Sequence, residues 1–285
     1  VSSLAVAFKC PFRFLIQELL ELKPLAEPVG GLRPEDRGLS IHHVLSCITR
    51  KLRPRLQEGN LDWELVFPSV QECVAAVHEK MAAIPTWQVE RRRWLGKEFG
   101  LLKLWFQEEL NHLQAGWRWL AEEIPFKGLT VEGWPTTLNG RIDRVDLHPE
   151  LGLLCWDYKS GSSPNFSEVF SHLSEPQLPA YLLAILQGLV ELPGHSQLHE
   201  YPLQAGYITF KSEKNLKLDR LRADAEQWQD LLGVWQKRLV ELGHQLQQGH
   251  FHAEPVPSAQ LRERERLCSY CGLLTICDRK NLAER

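Results

Sequence analysis

Apolar positions early in the chain recur at helical spacing. Phe12, Leu15, Ile16, Leu19, Leu20 and Leu22 form one such run, closed by Pro24. A loop rich in Gly and Pro, Val29 to Asp36, leads to a second helix near Leu39 to Leu52. Two more helices are expected over Gln71–Ala83 and Glu90–Leu120, the latter with a stripe of Trp94, Leu101, Leu102, Trp105, Leu113 and Trp117. After Pro125 the pattern shortens. Leu129–Val131, Leu138–Leu147 and Leu153–Tyr158 read as strands between Gly, Pro and Asn turns. A helix over Gln177–Leu189, a strand over Ala205–Phe210 and a long polar-rich helix over Asp219–Gln248 follow. With no linker or internal repeat in view, the order predicts one α/β domain over residues 1–285 with a helical N-terminal elaboration.

Composition narrows this picture only modestly. A chain of 285 residues with 44% hydrophobic and 24% charged residues can bury a sizeable core. The longest apolar stretch, Ala180–Leu192, is short and interrupted by Gln187, and the N-terminus lacks the zones of a signal peptide. No membrane segment is therefore expected, and the location expected is the cytoplasm. The first residue is Val1, as expected of a piece of a longer polypeptide. A net charge of -3 requires any nucleic-acid site to rely on a local positive field shared with bound cations. Arg91–Arg93 and the alternating Arg262, Arg264 and Arg266 are candidate phosphate contacts, but a solvated charged helix face accounts for either group at least as well, and neither is assigned. Most of the ten tryptophans belong to the core at this spacing. Of seven cysteines, Cys47, Cys73 and Cys155 stand singly in apolar surroundings, as small buried side chains do.

The chemistry concentrates in GRIDRVDLHPELGLLCWDYKSG, which begins at Gly140. Residues two apart on a strand share a face, so Asp157 and Lys159 project together, away from Trp156 and Tyr158. A turn near Pro149–Gly152 brings Asp143 beside Asp157. Two converging carboxylates make a hard, oxygen-rich seat for Mg²⁺ or Mn²⁺. A neighbouring lysine stabilises developing negative charge or positions an attacking water. These are the parts that phosphodiester hydrolysis needs. Asp146 is a competing carboxylate, but its parity differs from that of Asp143, and Arg144 is placed to pair with one of the two.

GRID, DYKSG and QLPAY (Gln177–Tyr181), together with RGLSIHHVL (Arg37–Leu45), resemble the PD-(D/E)XK nucleases of the RecB and AddB kind. Cys268, Cys271 and Cys277, with an early Cys-Pro-Phe at Cys10, resemble the iron–sulfur branch of that family. The resemblance runs from Cys10 to Cys277 and implies a restriction-endonuclease-like central mixed sheet flanked by helices. It also implies that Asp143 and Asp157 bind the metal, that Lys159 is catalytic and that His42 is a further metal ligand. His42 and His43 differ by about 100° around a helix, so one alone can face the site; His42 is the residue assigned. Gln177 and Tyr181, four apart on a helix, would line the cleft.

The spacing C-x₂-C-x₅-C, with Cys10 as a fourth thiolate, suits either Zn²⁺ or a [4Fe–4S] cluster, and the resemblance favours the cluster. Bound between Cys10 and the C-terminal trio, it would close nearly the whole chain into a ring. The resemblance further implies a DNA nuclease, expected to be an exonuclease, excised from a larger AddB-like repair protein, that works on single-stranded DNA delivered by a helicase. The alternative is a catalytically silent nuclease-like module for DNA binding or scaffolding, against which the intact Asp143, Asp157 and Lys159 argue.

Overall fold

The computed structural model describes residues 1–22, 31–56, 61–96, 100–160, 175–192, 194–211, 217–253, 268 and 271–277. Pro24, Val29 and the arginines at 262, 264 and 266 lie outside them. Helices α1 (Ser2–Lys9), α2 (Pro11–Phe14), α3 (Pro34–Leu56), α4 (Trp63–Met81), α5 (Pro85–Leu95) and α6 (Leu101–Gln114) precede the sheet. Three strands follow: β1 (Arg118–Leu129), β2 (Leu138–His148) and β3 (Gly152–Lys159). Helix α7 (Gln177–Leu186) leads to β4 (Leu203–Lys211) and β5 (Lys217–Ala223), and α8 (Ala225–Gln247) and α9 (Leu274–Cys277) complete the described elements.

The strands lie in the order β1-β2-β3-β4-β5, and only β3 and β4 run parallel. A parallel pair cannot be joined by a hairpin, and α7 lies in the crossover between them. The class is α/β, a mixed sheet flanked by helices, as expected. Strand β3 is buried on both faces, and its alternation sorts the core into two. Leu153 and Cys155 join α1, α7 and α8 through Phe8, Leu182, Ile185, Trp235 and Leu239. Leu154, Trp156 and Tyr158 join the α3–α6 layer through Ile41, Leu45, Val70, Trp94 and Trp105. No described helix is long and apolar enough to cross a membrane.

Three expectations are corrected. The helix foreseen over Glu90–Leu120 is instead α5, α6 and the start of β1. Gly116, at φ 98°, takes the left-handed conformation that stops α6, and β1 begins at Arg118. The helix foreseen from Asp219 begins only after Asp224, because the preceding segment forms β5 against β4. Asp224 accepts the Gln227 N–H at 2.9 Å and Gln227 accepts the Asp224 N–H at 3.2 Å, a reciprocal cap that fixes the boundary. Finally, Cys47 and Cys73 are not separate small hydrophobes: a disulfide joins them and ties α3 to α4.

Candidate active site

The site forms where the β2–β3 ladder stops. Arg144↔Trp156 is its last pair, and one step further Asp143 and Asp157 stand opposite each other. Side chains then take over from backbone. Asp143 Oδ2 accepts the Tyr158 N–H at 2.8 Å, and His42 Nε2 lies 2.9 Å from the Tyr158 carbonyl oxygen. His42 Nδ1 is 3.4 Å from Asp143 Oδ1. Burial disfavours a charge on His42, but its bond to Asp143 and the fields of Asp143 and Asp157 outweigh this and push it up to about 9.

Helix α3 delivers His42 through contacts one turn earlier. Arg37 donates to the Ser160 carbonyl and, at 3.4 Å, to that of Phe210, and pairs with Glu90 at 2.5 Å. A Cβ at Gly38 would stand 3.3 Å from Ser160 Oγ, so a side chain there would crowd the end of β3.

Lys159 reaches from β3 into a ring of oxygens. Its Nζ lies 2.8 Å from Asp157 Oδ2, 2.6 Å from Gln177 Oε1 and 3.3 Å from Glu175 Oε2. Burial opposes its charge, yet Asp157 and Glu175 raise its pKa above the usual lysine value. Glu175 also pairs with Lys9 of α1 at 2.8 Å; burial raises its carboxyl, and the two lysines more than reverse that. Asp157 is pushed up to about 7, chiefly by burial and by Asp143, against the pull of Lys159 and His42. Its Oδ2 is buried with no hydrogen bond of acceptable geometry, although Lys159 Nζ is close. A buried carboxylate oxygen with spare acceptor capacity is what a cation needs.

Tyr181 lies buried on α7, edge-on to Phe126 with ring centroids 6.3 Å apart. Burial, then the fields of Asp143 and Asp157, hold its phenol well above the ordinary value, so it is a neutral hydroxyl beside the carboxylates. Phe126 also accounts for Gly140 of the GRID motif, where a Cβ would fall 2.4 Å from its Cζ.

Two members of the site, Glu175 and Glu123, were not singled out from sequence. His42, Glu123 and Asp143 offer ligand atoms that all lie within 4.8 Å of one another. The flanking pairs Glu122↔Arg144 and Ile124↔Ile142 set Glu123 opposite Asp143. Its φ of 53° is left-handed, uncommon for a non-glycine residue. Ala121 and Ile124 fall in the same core cluster across this kink, so the strand alternation slips there. That broken alternation, in AEEI, is the trace Glu123 leaves in the sequence.

The remaining residues separate clearly. Asp146 points to the opposite layer, where Arg144 at 2.9 Å, His112 at 2.8 Å and Trp156 at 2.8 Å hold it. Arg144 also pairs with Glu109 at 3.0 Å. His43 is exposed on α3. Cys10 follows α1, and the fields of both Cys271 and Cys268 reach its thiol, although among the described residues no three cysteine sulfurs lie within 4.8 Å of one another as the His42, Glu123 and Asp143 atoms do. Burial first, then those fields, raise that thiol against hydrogen bonds from the Arg13 and Phe12 backbone. The Phe12 N–H donates to the His252 carbonyl at 3.2 Å, and Cys271 N–H to that of Cys268 at 3.1 Å. Cys277 ends α9.

Two solved structures resemble the chain weakly. One, from Eubacterium rectale and carrying a provisional exonuclease designation, is 10% identical, with 86% of this chain and 81% of that one covered at a TM-score of 0.47. The other, SSO0001, is 12% identical, covering 94% and 93% at a TM-score of 0.29. No curated protein sequence matches. The family model of the PD-(D/E)XK nuclease superfamily, in contrast, matches residues 1–278. With that match across nearly all its length, the chain belongs to the PD-(D/E)XK nuclease superfamily.

Proposed function

We propose that the protein is a metal-dependent deoxyribonuclease that hydrolyses phosphodiester bonds at single-stranded DNA ends. The observation that carries this reading is the convergence of His42, Asp143, Asp157 and Lys159 on the open end of β3. The donor set is carboxylate-rich with one imidazole, which suits Mg²⁺ and, with the nitrogen ligand, Mn²⁺. Bound by His42, Asp143 and Asp157, with Glu123 beside the same seat, such a cation would polarise the phosphate and neutralise its charge.

The side chains supply the rest. Lys159, cationic throughout the neutral range, donates to a phosphoryl oxygen as negative charge builds there. Glu175 and Gln177 fix its direction, so little reorganisation is needed during reaction. A water oxygen forms the new bond to phosphorus as the bond to the leaving sugar oxygen breaks; the water gives up one proton to solvent and the sugar oxygen takes one from solvent, so the protons balance. Tyr181 keeps its hydroxyl proton and serves as a donor beside the carboxylates. We place the protein in recombinational repair in the cytoplasm, as an AddB-like partner of a helicase that supplies unwound strands.

Cys10, Cys268, Cys271 and Cys277 are assigned to a [4Fe–4S] cluster, with Zn²⁺ the alternative occupant of the same thiolates. The fields of Cys268 and Cys271 at the Cys10 thiol, together with the spacing of the C-terminal trio, support this assignment.

Anaerobically purified protein with labelled single-stranded DNA and Mn²⁺ tests the nuclease reading beside Asp157→Ala and Lys159→Ala. Wild type should degrade the strand, and each variant should be slower by about 100-fold or more. Equal degradation by all three, or none by any, would overturn the assignment. Iron and zinc analysis with visible absorbance identifies the cysteine-bound metal.

A further inference from the structure

Beside the metal seat, between α3 and α4, lies a pocket of about 560 Å³ that shares Glu123 with the site. Its volume falls within the ~300–1,000 Å³ typical of ligand sites. Its lining is divided by chemistry. Val77, Met81, Leu39 and the Cys47–Cys73 disulfide give it apolar walls, and Leu39 is otherwise an unexplained exposed apolar residue, 61% accessible. Arg50, Lys80 and Arg141 line it as cations, and all three are exposed. Glu123 is the single carboxylate among the lining residues, and a bound cation would consume its charge.

Apolar walls beneath three cations, opening onto a phosphodiester-cleaving site, match one kind of occupant. The geometry points to a subsite for an unstacked nucleotide of single-stranded DNA, next to the scissile phosphate. Its base would enter between α3 and α4, and Arg50, Lys80 and Arg141 would hold the flanking phosphates. Arg50 is held by Glu122 at 3.0 Å and so is oriented before a strand arrives, while Arg141 lies 3.1 Å from Glu123 and is released to a phosphate when a cation takes that carboxylate. A duplex keeps its bases stacked and cannot fill the pocket, which makes the pocket a selector for single strands. This subsite rests on the nuclease reading for its orientation, but its occupancy is measured without turnover.

The test follows binding of a fluorescent single-stranded oligothymidylate and of a duplex of equal length, in EDTA, with the whole protein. The variants are Lys80→Glu, Arg50→Glu and Ala76→Trp. Ala76 is an exposed lining residue of α4, so tryptophan there fills the pocket without altering charge. Wild type should prefer the single strand, and each charge reversal should weaken that binding by about 10-fold while lowering the salt dependence by ~0.7 per lost phosphate contact. Ala76→Trp should weaken single-strand binding and leave the salt slope unchanged. Wild-type affinity in Lys80→Glu and Ala76→Trp, or equal affinity for duplex and single strand, would overturn the subsite. Hydrolysis of a chromogenic thymidine phosphodiester, which has no flanking nucleotide, reports the metal site separately. Its absence in wild type would count against the nuclease reading alone.

Discussion

Asp157 and His42 both hold a proton more tightly than usual, and a divalent cation bound at the proposed seat would displace it. Asp157 is raised from 3.8 to about 7, so the folded protein keeps a proton there that the unfolded chain has already released. That contribution to stability is lost as pH rises through about 7. His42 is raised from 6.5 to about 9, so its contribution is complete below 6.5 and lost as pH climbs through about 9. Metal binding should therefore release protons, and affinity for Mn²⁺ should increase with pH across this window. Titration calorimetry in buffers of different ionisation enthalpy measures both, and a pH-independent affinity with no proton release would refute the ligand set. At this scale the sequence was most legible where alternation and motif agreed, at Asp143, Asp157 and Lys159. Glu123 and Glu175 were not read, because each is brought to the site by the chain's path: a left-handed kink for one, the approach to α7 for the other.

Among the elements, β1 and β5 show where periodicity misleads. Trp117 and Leu120 continue the apolar spacing of α6, and a positive φ at Gly116, invisible to hydrophobic period, decides the boundary. The Asp224 cap was readable as Asp followed three residues later by Gln, but the charged sequence of β5 resembled an exposed helix face. Strand β2 carries the costliest polar group of the sheet. Arg144 is wholly buried, between Glu109 and Asp146, with Trp119 and Trp156 rings 5.8 and 5.9 Å away. Removing it strands two buried carboxylates, so Arg144→Ala should cost about 3–5 kcal/mol in urea unfolding. A loss below ~1 kcal/mol would mean that the pairing is screened as on a surface. The disulfide between α3 and α4 spans 26 residues, and its reduction should lower stability by ~2–4 kcal/mol. Non-reducing peptide mapping would recover a Cys47–Cys73 cross-link, and equal unfolding midpoints with and without reductant would contradict this estimate.

At the scale of the molecule, α1 links Cys10 to the lysine of the candidate site. Lys9 adjoins Cys10 and pairs with Glu175, which pairs in turn with Lys159. Lys9→Ala should leave metal affinity unchanged while lowering kcat by ~10-fold, the loss expected when a positioning shell is slackened. Steady-state kinetics beside metal titration separates the two, and a fall in metal affinity of the same size would deny Lys9 this role. The single-domain α/β arrangement followed from the order of periods along the chain. The approach of Cys10 to Cys268 and Cys271 was expected from the family resemblance alone, since no local period links residues so far apart in the chain.

That approach has a consequence for the order of synthesis. A chain emerging from the ribosome exposes α1 first, yet Lys9 waits for Glu175, and Cys10 waits for Cys268 and Cys271. The carboxylates and lysine of the site are all made before the C-terminal cysteines appear. A nascent polypeptide would therefore carry every residue of the candidate site before the proposed cysteine centre could form.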